Sequence, residues 1–140
     1  MFETSIQVIF RDVDAMGHVN NAVYFTYMET ARTQFFAEQL VLKSLAELPL
    51  IVAEARCIYQ SAARFNENLV VAISVPRIGT KSFDMRYQIT GSDRRQVALG
   101  KTVMVTYDYG SRTTIPIPQK LRSLLEEHLH DLRDETGAPT

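Results

Sequence analysis

Tryptophan is absent from this 140-residue chain, and cysteine occurs once, as Cys57. No disulfide can form within the chain and no thiolate metal cluster can be assembled, so a reducing, cytoplasmic setting is expected. Neither sign of charge dominates, since 15 Lys and Arg stand against 16 Asp and Glu. That balance argues against a nucleic-acid or anionic-membrane partner, which would need a broad basic field. Also missing are a charged start leading into an apolar run and any stretch near the ~20 apolar residues of a membrane span. Low-complexity tracts and internal repeats are missing too. The expectation is a soluble, unprocessed protein with a single domain over residues 1–140, frayed from 134 to 140.

What the chain does have is 46% hydrophobic and 22% charged content, ordinary globular usage and enough for one core. Thr4 to Arg11 alternates, with Ile6, Val8 and Phe10 on one face, and predicts a first strand. Arg11 to Gly17 is then a loop. From about Asn21 to Gln39 the apolar residues fall at helical spacing, with Tyr24, Met28, Ala31 and Phe35 in line and Val23, Phe25, Tyr27 and Phe36 widening the face. So wide a face predicts a helix covered on most sides. Val41 to Glu47 adds a turn or two before Pro49.

Leu50 to Tyr59 reads as a strand whose small residues Ala53, Ala55 and Cys57 imply a close neighbour. Leu69 to Val75 is a near-continuous apolar run, and Ser82 to Thr90 alternates cleanly. Gly91-Ser92-Asp93 turns that strand into a long return through Tyr107, where Gly100 marks a bulge or a close backbone approach. Pro116 and Pro118 precede a last helix with Leu121, Leu124, Leu125, Leu129 and Leu132 on one side. Five strands with one wide helix after the first predict an α+β layer built on an antiparallel sheet. A mixed sheet with helices on both faces is the alternative.

Chemistry concentrates where a polar, glycine-containing turn, Asp14 to Asn21, runs straight into the apolar helix. Asn20 is the expected N-cap. The unpaired amides and positive dipole end of a helix start suit a carboxylate or a developing oxyanion. Asp14-x-x-Gly17-His18-Val19-Asn20-Asn21-x-x-Tyr24 followed by Glu29-x-x-Arg32 resembles the signature of hotdog-fold acyl-CoA thioesterases of the 4-hydroxybenzoyl-CoA thioesterase type. The Ile78 to Ser82 turn and the Arg112 to Pro116 exit are similar to that family as well.

The resemblance implies a hotdog fold: a five-stranded antiparallel sheet wrapped around a long central helix, with a C-terminal helix. It implies homodimers with a continuous sheet, often homotetramers, and a site between subunits. It also implies that Asp14 acts on the thioester carbonyl as nucleophile or as base for water, while the backbone N–H of Asn21 holds the carbonyl oxygen. Acyl-CoA is the implied substrate, with no metal or redox cofactor. His18, Tyr24 and Glu29 are further candidate substrate contacts, and Arg64, Lys81 and Ser82 the candidates for the phosphates of CoA.

Each residue also has an ordinary reading. Asp14 could be only a turn former or cap, Glu29 and Arg32 an exposed ion pair, and Arg64 and Lys81 solvated charges. Asp12 falls outside the matched position and reads as a structural or solvated group. His128 and His130 lie two apart on the last helix, which turns them to different faces and away from a metal set. Two other functions remain compatible: a hotdog acyl dehydratase or hydratase using His18, and a non-catalytic module that binds acyl-CoA. Release of free thiol from a CoA thioester separates the hydrolase from both.

Overall fold

The computed structural model describes residues 1–42 and 44–129. The elements run β1 (Phe2–Gln7), α1 (Val23–Leu40), β2 (Leu50–Tyr59), β3 (Asn68–Ile78), β4 (Ser82–Gly91), β5 (Gln96–Asp108), β6 (Thr113–Thr114) and α2 (Gln119–Glu127). The strands form one sheet in the order β1-β3-β4-β5-β2, with the short β6 beside β5. Every pairing between them is antiparallel, which excludes the mixed sheet and fits the α+β class expected from consecutive hairpins.

Alternation in β4 becomes burial with a period of two: Phe83, Met85, Tyr87 and Ile89 are fully buried. Against this face α1 lays Tyr24, Tyr27, Met28, Ala31, Phe35, Phe36 and Leu40. Phe36 meets Phe83 edge-on, and Phe2 of β1 meets Phe35 in the same way. Burying each such side chain contributes about 1.5–3 kcal/mol. Gly100 proves to be a close approach rather than a bulge, because a Cβ there would overlap Met28 Sδ while the pairing Tyr87↔Gly100 stays in register. The register shifts fall elsewhere, between Val52 and Glu54, Ser74 and Arg77, and Ile89 and Thr90.

Several expectations are corrected. The first strand is Phe2–Gln7 rather than Thr4 to Arg11, and Phe10, expected inside, is 79% exposed. The cause is a turn: Asp12 N donates to Ile9 O, and Ile9 N donates to the Asp12 carboxylate. The sheet covers one side of α1 and leaves Thr26, Glu29, Thr30, Ala37 and Glu38 exposed, so the helix is less enclosed than its composition predicts. Between α1 and β2 there is only the short 3-10 turn Leu45–Glu47. In α2 Leu121, Leu124 and Leu125 are buried, whereas Leu129 lies past the helix end and is exposed. Leu132, His130 and the tail from 134 to 140 lie outside the described residues.

Candidate active site

The loop between β1 and α1 folds on its own amides. Asp14 N donates to His18 O at 2.8 Å and Gly17 N to Asp14 O at 3.0 Å, flanked by a bridge between Val13 and Val19. Gly17 has φ +79, a left-handed conformation that side chains resist, which explains a glycine at this point of the motif. The Asp14 side chain is held from within this loop. Its Oδ1 accepts Met16 N at 2.9 Å and His18 N at 3.3 Å, and among the described residues nothing donates to Oδ2.

The capping bond expected of Asn20 is present, its Oδ1 accepting Ala22 N at 2.9 Å, although the regular helix begins only at Val23, with Ala22 directly before it. Asn20 O accepts Val23 N at 2.9 Å. Among the described residues no acceptor takes the Asn21 amide, as the first turn of a helix allows. Asp14, His18, Asn21, Tyr24, Tyr59 and Ser61 line an open cleft of about 390 Å³. Exposed Phe10 and Phe65 stand edge-on to each other and line a second open hollow with Val13, Asp14 and Ala15.

The remaining candidates are dispersed. His18 stands in the cleft, and Arg64, exposed, is bridged to it through the backbone. Tyr24 lines the cleft but is buried, with its hydroxyl accepting Ala63 N at 3.4 Å and its ring edge-on to Tyr27 and Tyr59. Glu29 lies two turns further along α1, 4.0 Å from Arg32 and exposed, so the ordinary ion pair exists. Lys81 and Ser82 sit where β3 turns into β4, at the far end of the sheet from Asp14. An eleven-residue strand is about 35 Å long. Within one protomer Lys81 and Ser82 therefore do not join the cleft, and Ser82 Oγ accepts from Arg77 instead.

Asp12 takes a structural role, and two further contributors, Arg95 and Tyr59, escaped the sequence reading. Asp12 accepts the Tyr27 hydroxyl at 2.8 Å, and its carbonyl accepts Asn20 N at 2.9 Å, so it ties the loop to α1. Burial and the adjacent Asp12 carboxylate push the Tyr27 hydroxyl well above the usual tyrosine range, which keeps it a donor. Arg95 bonds Ser61 Oγ, Ala62 O and the Glu67 carboxylate, fixing the segment that walls the cleft. Tyr59 donates to Asn21 O at 2.8 Å. Composition alone could not single these out, because each acts through a partner distant in sequence.

A carboxylate with one free oxygen and an amide with no acceptor, on one open cleft, can hydrolyse an activated acyl group: one attacks or deprotonates, the other holds the developing oxyanion. Burial raises the Cys57 thiol above its ordinary range, which opposes a thiolate nucleophile. Among the described residues no group of three His, Cys, Asp or Glu is placed to hold a metal, and no helix is long and apolar enough to cross a membrane.

Residues 8–125 match the model of the thioesterase-like superfamily. The uncharacterized protein YsmA of Bacillus subtilis (strain 168) is 25% identical over 104 residues, covering 74% of this chain and 71% of YsmA. A predicted thioesterase from Bacillus stearothermophilus superposes with a TM-score of 0.85 at 23% identity, over 93% of this chain and 97% of that one. A thioesterase from Thermus thermophilus, solved with coenzyme A and zinc, superposes with a TM-score of 0.79 at 28% identity, over 88% and 95% of the two chains.

Proposed function

Since the chain belongs to the thioesterase-like superfamily and is a thioester hydrolase, we propose that it hydrolyses acyl-CoA, with Asp14 and the Asn21 amide as its working groups. The observation that carries this reading is the pairing of the free Oδ2 of Asp14 with the acceptor-less N–H of Asn21 on one cleft. CoA as the leaving group is supported by the Thermus relative, which holds coenzyme A. The carbonyl oxygen of the thioester accepts from Asn21 N–H, and that bond strengthens as charge develops. Asp14 then has two routes. As nucleophile it forms a mixed anhydride and expels the CoA thiolate, and water later opens the anhydride. As base it takes a proton from water while the oxygen adds to the carbonyl carbon, and collapse of the adduct expels the thiolate, which accepts that proton.

The finer parts of the reading follow. The sheet and α1 are the hotdog arrangement, and the uncovered side of the cleft is completed by a second copy, giving a homodimer or homotetramer. His18 and Tyr24 contact the acyl side in the same protomer. Arg64 lies beside His18 and is available to a phosphate of CoA, while Lys81 and Ser82, at the far end of the sheet from Asp14, and the exposed Glu29 contribute across the interface.

Asp14→Asn is expected to stay folded and to lose about 10²–10⁴ in turnover, the usual contribution of such a group. The assay is thiol release from a panel of CoA thioesters that varies only the acyl group. Near-normal turnover in the variant sinks the assignment. Single turnover in ¹⁸O water then tests the nucleophilic route: label in the Asp14 carboxylate marks an anhydride opened by water at the aspartyl carbon, which the base route does not form.

A further inference from the structure

The turn that presents the Asn21 amide is held by bonds of two kinds. Most are local: Asn20 N to Asp12 O, Ala22 N to Asn20 Oδ1 and Val23 N to Asn20 O, each 2.9 Å. The last of these restrains the oxygen end of the peptide plane that carries the Asn21 N–H, because Asn20 O and Asn21 N belong to one rigid unit, and leaves the rest of its tilt to the plane that follows. The next plane carries Ala22 N–H, held within the turn by Asn20 Oδ1, and Asn21 O, held from outside it by the Tyr59 hydroxyl at 2.8 Å across 38 positions of sequence. Tyr59 ends β2 and is stacked edge-on against Tyr24 at 5.3 Å, so its ring direction is set before the hydroxyl reaches the turn.

We propose that Tyr59 is a positioning residue for the hydrolysis: by holding Asn21 O it aims the Asn21 N–H at the thioester carbonyl oxygen and ties that aim to strand β2. The inference rests on Asn21 acting as the oxyanion donor. A phenol is suited to this, since desolvation and the neighbouring Cys57 raise its ionisation above the ordinary range and the proton it donates is retained at neutral pH. It is also separable, because the bonds of Asn20 N, Ala22 N and Val23 N come from residues 12 to 20 and keep the turn folded when only the hold on Asn21 O is removed.

The test is Tyr59→Phe, which keeps the ring and the Tyr24 stack and removes only the donor. Loss of an oxyanion donor costs about 10²–10³ in kcat, and a misaimed one should cost part of that, about 10-fold, with KM within about twofold. The direct readout is infrared. A ketone analogue of the best-turned-over acyl-CoA, with CH2 in place of sulfur, is labelled at its carbonyl. On the unaltered protein its stretch should fall below the solution value, and on Tyr59→Phe it should return toward it. An unchanged kcat and stretch overturns the proposal, and so does a raised KM at constant kcat, which would make Tyr59 a substrate contact. If Asp14→Asn abolishes turnover while Tyr59→Phe does nothing, only the positioning role fails. If Asp14→Asn retains turnover, the thioesterase site itself has been misassigned. Should Tyr59→Phe unfold at assay temperature, Tyr59→His, which keeps an aromatic ring with a donor, must restore the lowered stretch for the proposal to stand.

Discussion

Along one edge of the sheet, β1 runs for six residues with Phe2 and Ile6 turned toward α1 and Glu3 and Gln7 turned out, while along the other, β2 runs for ten with Val52, Ile58 and Tyr59 exposed. The first edge is short, polar on its outer face and sealed against α1 by the Phe2–Phe35 contact. The second is long, exposes Val52, Ile58 and Tyr59 on either side of the Glu54–Arg56 pair, and is bent only by the shift between Val52 and Glu54. Edge strands that must stay single are normally kept short or charged. The contrast supports a second copy along β2, which is also the strand that ends in Tyr59 beside the cleft.

The largest effect should come from breaking that contrast. Val52→Lys with Ile58→Lys gives β2 the kind of charge that blunts an edge, and two copies would then bring like charges together. Sedimentation should show loss of association at micromolar concentration, and turnover should fall about 100-fold, the scale of a misplaced site. Ser5→Lys, on the outer face of β1, should change neither. An active monomer in the first variant would detach the site from the edge.

A smaller effect separates the packed interior from both edges. Gly100→Ala puts a methyl group into Met28 Sδ and should cost about 1–3 kcal/mol in urea unfolding. Met28→Leu should recover part of it, because the clash is with that one side chain. No recovery would mean that the strain lies in the backbone of β5.

These contrasts also show what was legible beforehand. The faces of α1 and the β4–β5 hairpin could be read because burial follows local periodicity, and Phe83, Met85, Tyr87 and Ile89 carry that signal openly. The Asp14 loop could be placed because its amides close locally, between Asp14 and His18. Phe10 could not be read as exposed, since the Asp12 carboxylate's bond to Ile9 N ends the alternation early. Gly100 could be marked as a close approach, yet its partner Met28 lies far away in the chain, on α1. Tyr59 and Arg95 were invisible for the same reason: their hydroxyl and guanidinium find partners only after the sheet has assembled.

The smallest expected effect compares an ion pair from each edge. At the β2 edge Arg56 and Glu54 approach to 3.8 Å with side chains 66% and 53% exposed. Near the exit of β1, Arg95 and Glu67 meet at 2.8 Å with 35% and 13% exposed, and Glu67 O also accepts Val8 N. Glu67→Gln should cost about 1–2 kcal/mol, because it removes a charge-assisted bond from a half-buried guanidinium that also holds Ser61 and Ala62. Glu54→Gln should lie within about 0.5 kcal/mol, as solvated pairs do, and that small cost should shrink further as salt is added. Equal costs in dilute protein would erase the difference between the two pairs. A Glu54→Gln cost that grows with protein concentration would instead show that the β2 edge is covered on association, since covering the pair removes the solvent that makes it weak.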